Sequence, residues 1–215
     1  SGTVVGVTAI PSTGYFLDCW ELDRINVGST NPMDVTMDTN HTLHAVFKIH
    51  DVSVIDVTCT KTVLGRGYST NITATVANQG NYTETFYVIL YANATSIASQ
   101  IITLTSGNST TITFVWDTTG FAKGSYTISV NATIVLNETD TSDNRCVGGV
   151  IKVGVPGDLN NDKKCNLLDL VLVSGKFGKN YPDPEYDPSY DFNDDNKINL
   201  LDLVIVAGHF GTIDP

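Results

Sequence analysis

Two twelve-residue stretches near the C-terminus hold the residues best suited to chemistry. The first is Asp158-Leu-Asn160-Asn-Asp162-Lys-Lys164-Cys-Asn166-Leu-Leu-Asp169. The second, 33 positions on, is Asp191-Phe-Asn193-Asp-Asp195-Asn-Lys197-Ile-Asn199-Leu-Leu-Asp202. Calcium takes about six to eight hard oxygens, supplied in such loops by side chains at positions 1, 3, 5 and 12, a main-chain carbonyl at 7 and often a water held by position 9. Those positions are Asp158, Asn160, Asp162, Lys164 (carbonyl), Asn166 and Asp169 in the first loop. In the second they are Asp191, Asn193, Asp195, Lys197 (carbonyl), Asn199 and Asp202. Three carboxylates per loop repel one another without a cation. Two calcium ions should therefore stabilise this segment directly. The plain alternative is a pair of acidic turns capping two helices, and the repetition in register argues against it.

Each loop must be held by the segment after it. An apolar run comes next in both cases, expected as helices Leu170–Phe177 and Leu203–Phe210, with Gly178 and Gly211 as C-caps. The duplicated loops, the Leu-Asp-Leu-Val runs, the Phe-Gly endings and Gly157-Asp158 together resemble the dockerin type I family over nearly all of 157–211. The resemblance implies a two-helix EF-hand pair. The segment Tyr181-Pro-Asp-Pro-Glu-Tyr186-Asp-Pro188 also looks like the linkers of archaeal dockerin-like tails. One departure is position 6, usually Gly and here Lys163 and Asn196. Lys tolerates the left-handed backbone less well than Asn, so the first site is expected to bind more weakly. In dockerins, positions 10 and 11 read a cohesin partner. Here they are Leu167, Leu168, Leu200 and Leu201. These pairs either face a protein partner or pack on Tyr181, Tyr186 and Tyr190.

The chain of 215 residues has 12 Lys+Arg against 23 Asp+Glu, a formal charge of −11. That balance argues against nucleic acid and against anionic lipid as partners. Hydrophobic residues make up 41%, so a folded chain is expected, and no apolar run reaches the length of a membrane span. No signal peptide is evident, which fits a cytosolic chain or an already processed one. Composition changes near Gly154–Pro156: the final stretch is acid-rich, whereas 27 of 28 threonines lie at or before Thr141. A module boundary is expected there. Seven Asn-x-Thr sequons precede it, at Asn40, Asn71, Asn81, Asn93, Asn108, Asn131 and Asn137. Chance would give about three. The excess points to N-linked glycans and an extracellular, cell-surface location, though Thr-rich strands also generate sequons by accident.

The front of the chain, 1–48, reads as short strands at Thr3–Ala9, Tyr15–Leu22, Pro32–Met37 and Thr42–Phe47, the last two as a hairpin around Asp38-Thr39-Asn40. The order Gly14-Tyr15-Phe16, Trp20-Glu21, Asn31-Pro32, Ala45-Val46-Phe47 resembles the divergent internalin-type B-repeat family of small β-grasp-like repeats. Family members usually have a further strand or hairpin before the stretch matching Ser1–Ala9. Its absence implies an unpaired edge, completed by a strand from another subunit or by more of a longer chain.

Residues 49–154 read as seven strands separated by Gly, Asn and Thr turns: Val52–Cys59, Tyr68–Ala77, Glu84–Tyr91, Ser96–Leu104, Thr110–Trp116, Ser125–Val135 and Cys146–Val153. The count and alternation fit an immunoglobulin-like sandwich and place Asn71 and Asn131 on its outer face. The Asn78-Gln79-Gly80 turn and Asp143-Asn144 before the last strand resemble the CARDB family of surface domains. In such a sandwich the first and last strands are neighbours, and a Cys59–Cys146 disulfide is expected. Cys19 and Cys165 would then pair across modules, across subunits, or not at all. The cysteines show no zinc spacing.

Enzyme signatures are missing, the histidines His41, His44, His50 and His209 are scattered, and Asp117, Glu138 and Asp140 look like turn residues. Trp20 and Trp116 are expected in the core. The chain therefore reads as mainly β with a small α tail, in three modules: 1–48, 49–154 and 155–215. The leading expectation is a non-enzymatic, glycosylated, calcium-binding subunit of a surface fibre or layer that binds copies of itself. The alternatives are a recognition module for a cohesin-like protein and the C-terminal part of a larger secreted enzyme.

Overall fold

A computed structural model describes residues 2–213; Ser1, Asp214 and Pro215, at the outer limits of the first and last expected modules, lie outside the described residues. The first module has two small sheets. Strand β1 (Thr3–Val7) pairs antiparallel with β4 (Met33–Met37), while β2 (Tyr15–Leu22) lies between β3 (Ile25–Gly28) and β5 (Leu43–Ile49). The expected hairpin of residues 32–37 with 42–47 does not form. His41 explains the divergence: its ring bridges Asp38 at 2.8 Å and Asp23 at 2.7 Å, and Thr42 N–H donates to Asp23 Oδ1 at 2.8 Å. These bonds tie the chain after β4 to the β2–β3 turn, so β5 enters the other sheet. Strand β3 carries little signal in the sequence because its turn, Asp23-Arg24, has φ of 53° and 72° without the Asn-Gly that advertises a primed turn. Trp20 is buried, with its indole N–H donating to Thr30 O at 3.0 Å.

The second module is a sandwich. One sheet has the order β10 (Thr95–Leu104), β9 (Glu84–Ala92), β12 (Gly124–Ala132), β13 (Arg145–Gly154) and a short parallel edge, β7 (Val63–Gly65). The other has β11 (Ser109–Asp117), β8 (Ser69–Asn78) and β6 (Val52–Cys59). Period-two alternation sends Ile72, Ala74 and Val76 of β8 and Phe86, Val88 and Leu90 of β9 into the shared core. Trp116 is fully buried and meets Phe121 and Tyr126 edge-on at 5.3 and 5.4 Å.

The other two modules attach at opposite ends of β6. At its start, His50 stacks on Tyr82 and bonds Glu84 at 2.6 Å, while Ile49 N–H donates to Asn81 Oδ1 at 3.0 Å. Beyond its end, Tyr68 meets Phe192 and His209 of the tail edge-on.

All four cysteines are free thiols in this structure, so the expected Cys59–Cys146 disulfide is not formed here. Strand β13 passes β6 with Asp143 O accepting from Val54 N and Gly148 pressed on Val57. Cys146 is thus level with residues 55–56, about 10 Å along the strand from Cys59 at a rise of about 3.3 Å per residue, beyond the reach of an S–S bridge. Cys19 and Cys165 sit in modules at opposite ends of the sandwich.

Candidate metal centre

The tail folds around its two loops. Helices α1 (Leu167–Gly175) and α2 (Leu200–Gly208) start three residues before the expected positions. The loop residues themselves explain the shift. Asn166 and Asn199 are N-caps, accepting from Leu168 N and Leu201 N at 2.8 and 2.7 Å. Asp169 and Asp202 reach back to the cap N–H groups, both at 2.8 Å, completing capping boxes. Positions 9 and 12 of each loop therefore also begin a helix. The C-caps are Lys176 and His209, not Gly178 and Gly211. These glycines, both at φ 85°, lie two residues further on. There Gly178 N–H donates to Ile198 O at 2.7 Å and Gly211 N–H to Cys165 O at 2.8 Å. Cys165 and Ile198 occupy position 8 of their loops and are fully buried, so each half of the tail closes on the other.

The loops repeat almost bond for bond. Asp158 accepts from Asp162 N and Lys163 N at 3.1 and 2.8 Å; Asp191 accepts from Asp195 N and Asn196 N at 3.2 and 2.8 Å. Asp162 and Asp195 each accept from position 7 N–H at 2.9 Å, and their second oxygens take the amides of Asn160 and Asn166, or of Asn193 and Asn199, at 3.1–3.2 Å. Lys163 and Asn196 adopt φ of 71° and 64°, the left-handed turn that position 6 requires.

Among the described residues no three His, Cys, Asp or Glu side chains converge into a closed cage; the loop carboxylates lie on backbone N–H groups. The donor set nevertheless fits calcium. Asp158, Asp169, Asp191 and Asp202 are buried. Burial pushes the Asp158 carboxyl up, and Asp169 and Asp162 push it further against the pull of its N–H bonds. Asp202 is likewise raised by burial first, opposed by its N–H donors. Sequestered negative charge beside neutral Asn oxygens is what a hard divalent ion relieves. The side chains of Asp158, Asn160, Asp162, Asn166 and Asp169 with the Lys164 carbonyl would hold one ion. Asp191, Asn193, Asp195, Asn199 and Asp202 with the Lys197 carbonyl would hold the other. A bound ion would supply charge neutralisation and fix the loop.

The two loops differ in their bracing. Lys61 Nζ, from the sandwich, donates to Asp191 O at 2.7 Å and pairs with Asp194 at 2.9 Å, and Tyr186 O–H donates to Asp191 Oδ2 at 2.7 Å. Lys61 is only 3% exposed and escaped sequence reasoning, since nothing near it in the chain announces a partner 130 residues away.

The apolar pairs at positions 10 and 11 stay in solvent: Leu167, Leu168, Leu200 and Leu201 are 56–65% exposed, with Val171 and Val204 beside them. Tyr186 and Tyr190 pack instead into the tail core with Val155, Val173 and Val206. Of the sequons, Asn40, Asn71, Asn81, Asn93, Asn108 and Asn137 are exposed. Asn131 is on the outer face as expected but half-buried on the central strand β12, opposite Ile89 and Arg145. Among the described residues no helix is long and apolar enough to cross a membrane.

Family models match three successive segments: Divergent InlB B-repeat domain at 1–51, CARDB at 50–147 and Dockerin type I domain at 156–210. Among solved structures, the CARDB domain of a Pyrococcus furiosus protein, in complex with di-metal ions, is 22% identical over 51% of this chain and 98% of its own, with a TM-score of 0.43. A domain of a protein described as a cell surface protein, from Methanosarcina acetivorans, is 30% identical over 49% of this chain and 92% of its own, with a TM-score of 0.40. A β-glucosidase from Erythrobacter marinus is 12% identical over 54% of this chain and 18% of its own, with a TM-score of 0.38. No curated protein matches. Dockerin and CARDB domains indicate a cell-surface or extracellular module; dockerin domains typically bind calcium and imply a cohesin-like partner. The chain thus carries a divergent InlB B-repeat, a CARDB domain and a dockerin type I domain in series.

Proposed function

We propose that this chain is a non-enzymatic, calcium-stabilised structural subunit of a surface fibre or layer. One observation carries the reading: unpartnered faces occur in the modules at both ends of the sandwich. In the first module, among the described residues, β1 pairs only with β4, and Val4 and Val5 are exposed along it. In the tail, the duplicated leucine pairs, one at the start of each helix, form two exposed apolar faces. A contact joining the two unlike faces is heterologous and propagates into an open filament. Strand addition at β1 is one physical form of that contact. The exposed sequons support a glycan coat that shields lateral faces against sideways pairing. The two calcium loops support a rigid docking surface. Electron microscopy of the native material with and without chelator tests the proposal. Calcium-dependent filaments containing this polypeptide are expected; filaments made of another protein, or a chain that stays monomeric at high concentration with calcium, overturn it.

The near-identity of the two leucine faces favours a second reading, in which the tail docks on a separate cohesin-like receptor. Stoichiometric capture of a cohesin-bearing protein without self-assembly would select it.

A further inference from the structure

A second group of acids lies far from the tail, where the first module joins the sandwich. Asp51 immediately precedes β6, and its carbonyl accepts from Gln79 N and Gly80 N at 2.9 and 3.1 Å. Val52 N donates to Glu138 Oε1 at 2.9 Å, and Val54 N donates to Asp143 O at 2.9 Å. The loop 138–144 is thereby laid along the start of β6, which gathers Asp51, Glu138, Asp140 and Asp143. Among the described residues none of these acids is ion-paired with Lys, Arg or His.

Two of the four are satisfied by neighbours. Glu138 Oε2 accepts from Val135 N at 2.8 Å and from Asn144 Nδ2 at 3.1 Å. Asp140 Oδ1 accepts from the Ser142 N–H and O–H at 3.1 and 2.7 Å. Three oxygens remain. Asp51 Oδ1, Asp143 Oδ1 and Asn144 Oδ1 are each sealed from solvent and accept no hydrogen bond. Asn144 is only 6% exposed, and its amide nitrogen donates to Glu138 Oε2 at 3.1 Å, which sets its side chain beside the acid group. An amide oxygen has no protonation state that would satisfy it. A buried acceptor without a donor is costly, and three together call for one group that serves all of them.

The geometry points to a divalent-cation site of the calcium class at this joint, with Asp51 Oδ1, Asp143 Oδ1 and Asn144 Oδ1 as protein donors and water completing the shell. The donor set is hard oxygen throughout, two carboxylates and one amide, which suits calcium rather than a softer metal. The electrostatics agree. The Asp51 carboxyl is pushed up to about 6 by burial and then by Asp143, Glu138 and Asp140, with no cation or N–H opposing them. Ion binding would fasten the linker residue Asp51 to loop 138–144 and stiffen the joint between the first module and the sandwich, independently of the tail loops.

The test uses the full chain. Crystals soaked in terbium or calcium are expected to give an anomalous peak within coordination distance of the three oxygens, besides those in the tail loops. Equilibrium dialysis is expected to count three calcium ions on the wild-type chain and two on the D51N/D143N variant. A map with only a water at the joint, or with a proton shared between Asp51 and Asp143, overturns the site. So does the same ion count in both chains. Should the variant fold poorly, the wild-type anomalous map decides alone.

Discussion

The ammonium of Lys61, in the loop after β6, donates to the main-chain carbonyl of Asp191, the first residue of the second tail loop, at 2.7 Å. This bond makes the sandwich part of the wall of the second tail loop. Lys61→Met keeps the apolar stem and removes the donor, leaving a buried carbonyl short of its partner. A hydrogen bond from a charged group is worth about 1.5–3 kcal/mol, and the half-exposed Asp194 adds little to that. Calcium affinity of the second loop is expected to fall several-fold while the first is unchanged. Titration followed by site-resolved NMR checks this; equal losses in both loops would contradict it.

Removing calcium should loosen the tail and spare the sandwich, whose core contains none of the loop residues. Hydrogen exchange in chelator is expected to expose the amides of α1 and α2 while those of β8 and β12 stay protected. At a free ion concentration of 100 times the dissociation constant, each ion would contribute about 2.7 kcal/mol to the stability of the tail.

Position 6 separates the two loops. Lys163 sits at φ 71°, where a side chain other than Gly, Asn or Asp is strained by roughly 1–2 kcal/mol. Lys163→Gly is expected to tighten the first site by several-fold to tenfold. Asn196→Gly should change the second far less. Calorimetric titration of the two variants side by side gives the answer.

The apolar face of the tail should be separable from its metal loops. Leu168→Asp with Leu201→Asp places charge on exposed positions without touching a proposed ligand. Calcium binding should persist, and filament formation or capture of a cohesin-like protein should drop at least tenfold. Loss of calcium binding together with docking would refute the separation.

A pH dependence arises from His41. Its bonds to Asp23 and then Asp38 hold the imidazole above its usual range, and both acids are held below theirs, Asp23 first by the Thr42 N–H and Asp38 first by His41. A raised histidine stabilises the fold fully below its unfolded value and loses that contribution as pH rises through the folded value. The lowered carboxylates stabilise above their unfolded values and lose the contribution as pH falls through the folded ones. The β4–β5 connection should therefore be tightest from about pH 4 to about 6.5, near the ordinary carboxylate and imidazole values. It should loosen on the alkaline side. Amide exchange at residues 38–42 would track it, and His41→Gln should abolish the alkaline limb.

Much of this architecture was legible in the chain because its signals are local. The duplicated loops, the strand alternation around Ile72 and Ile128, and the buried Trp20 and Trp116 all come from spacing and pattern. The helix starts were legible too, in the Asn-x-x-Asp boxes at Asn166 and Asn199, but reading those residues only as metal donors hid their second role. The features that stayed hidden depend on distant partners. His41 redirects β5 through Asp23, Lys61 reaches Asp191, and the stagger of β13 on β6 keeps Cys146 from Cys59. No local pattern encodes a stagger between facing sheets.

The crossed closure of the tail has a consequence for how the protein senses its surroundings. Gly178 fastens one half to Ile198 and Gly211 fastens the other to Cys165, so neither half is finished alone. Ordering one repeat builds part of the other, so a second ion would meet a site whose entropy has already been spent. The tail should respond to ambient calcium as a threshold rather than a gradient, assembled in seawater-like surroundings and slack wherever the ion is scarce.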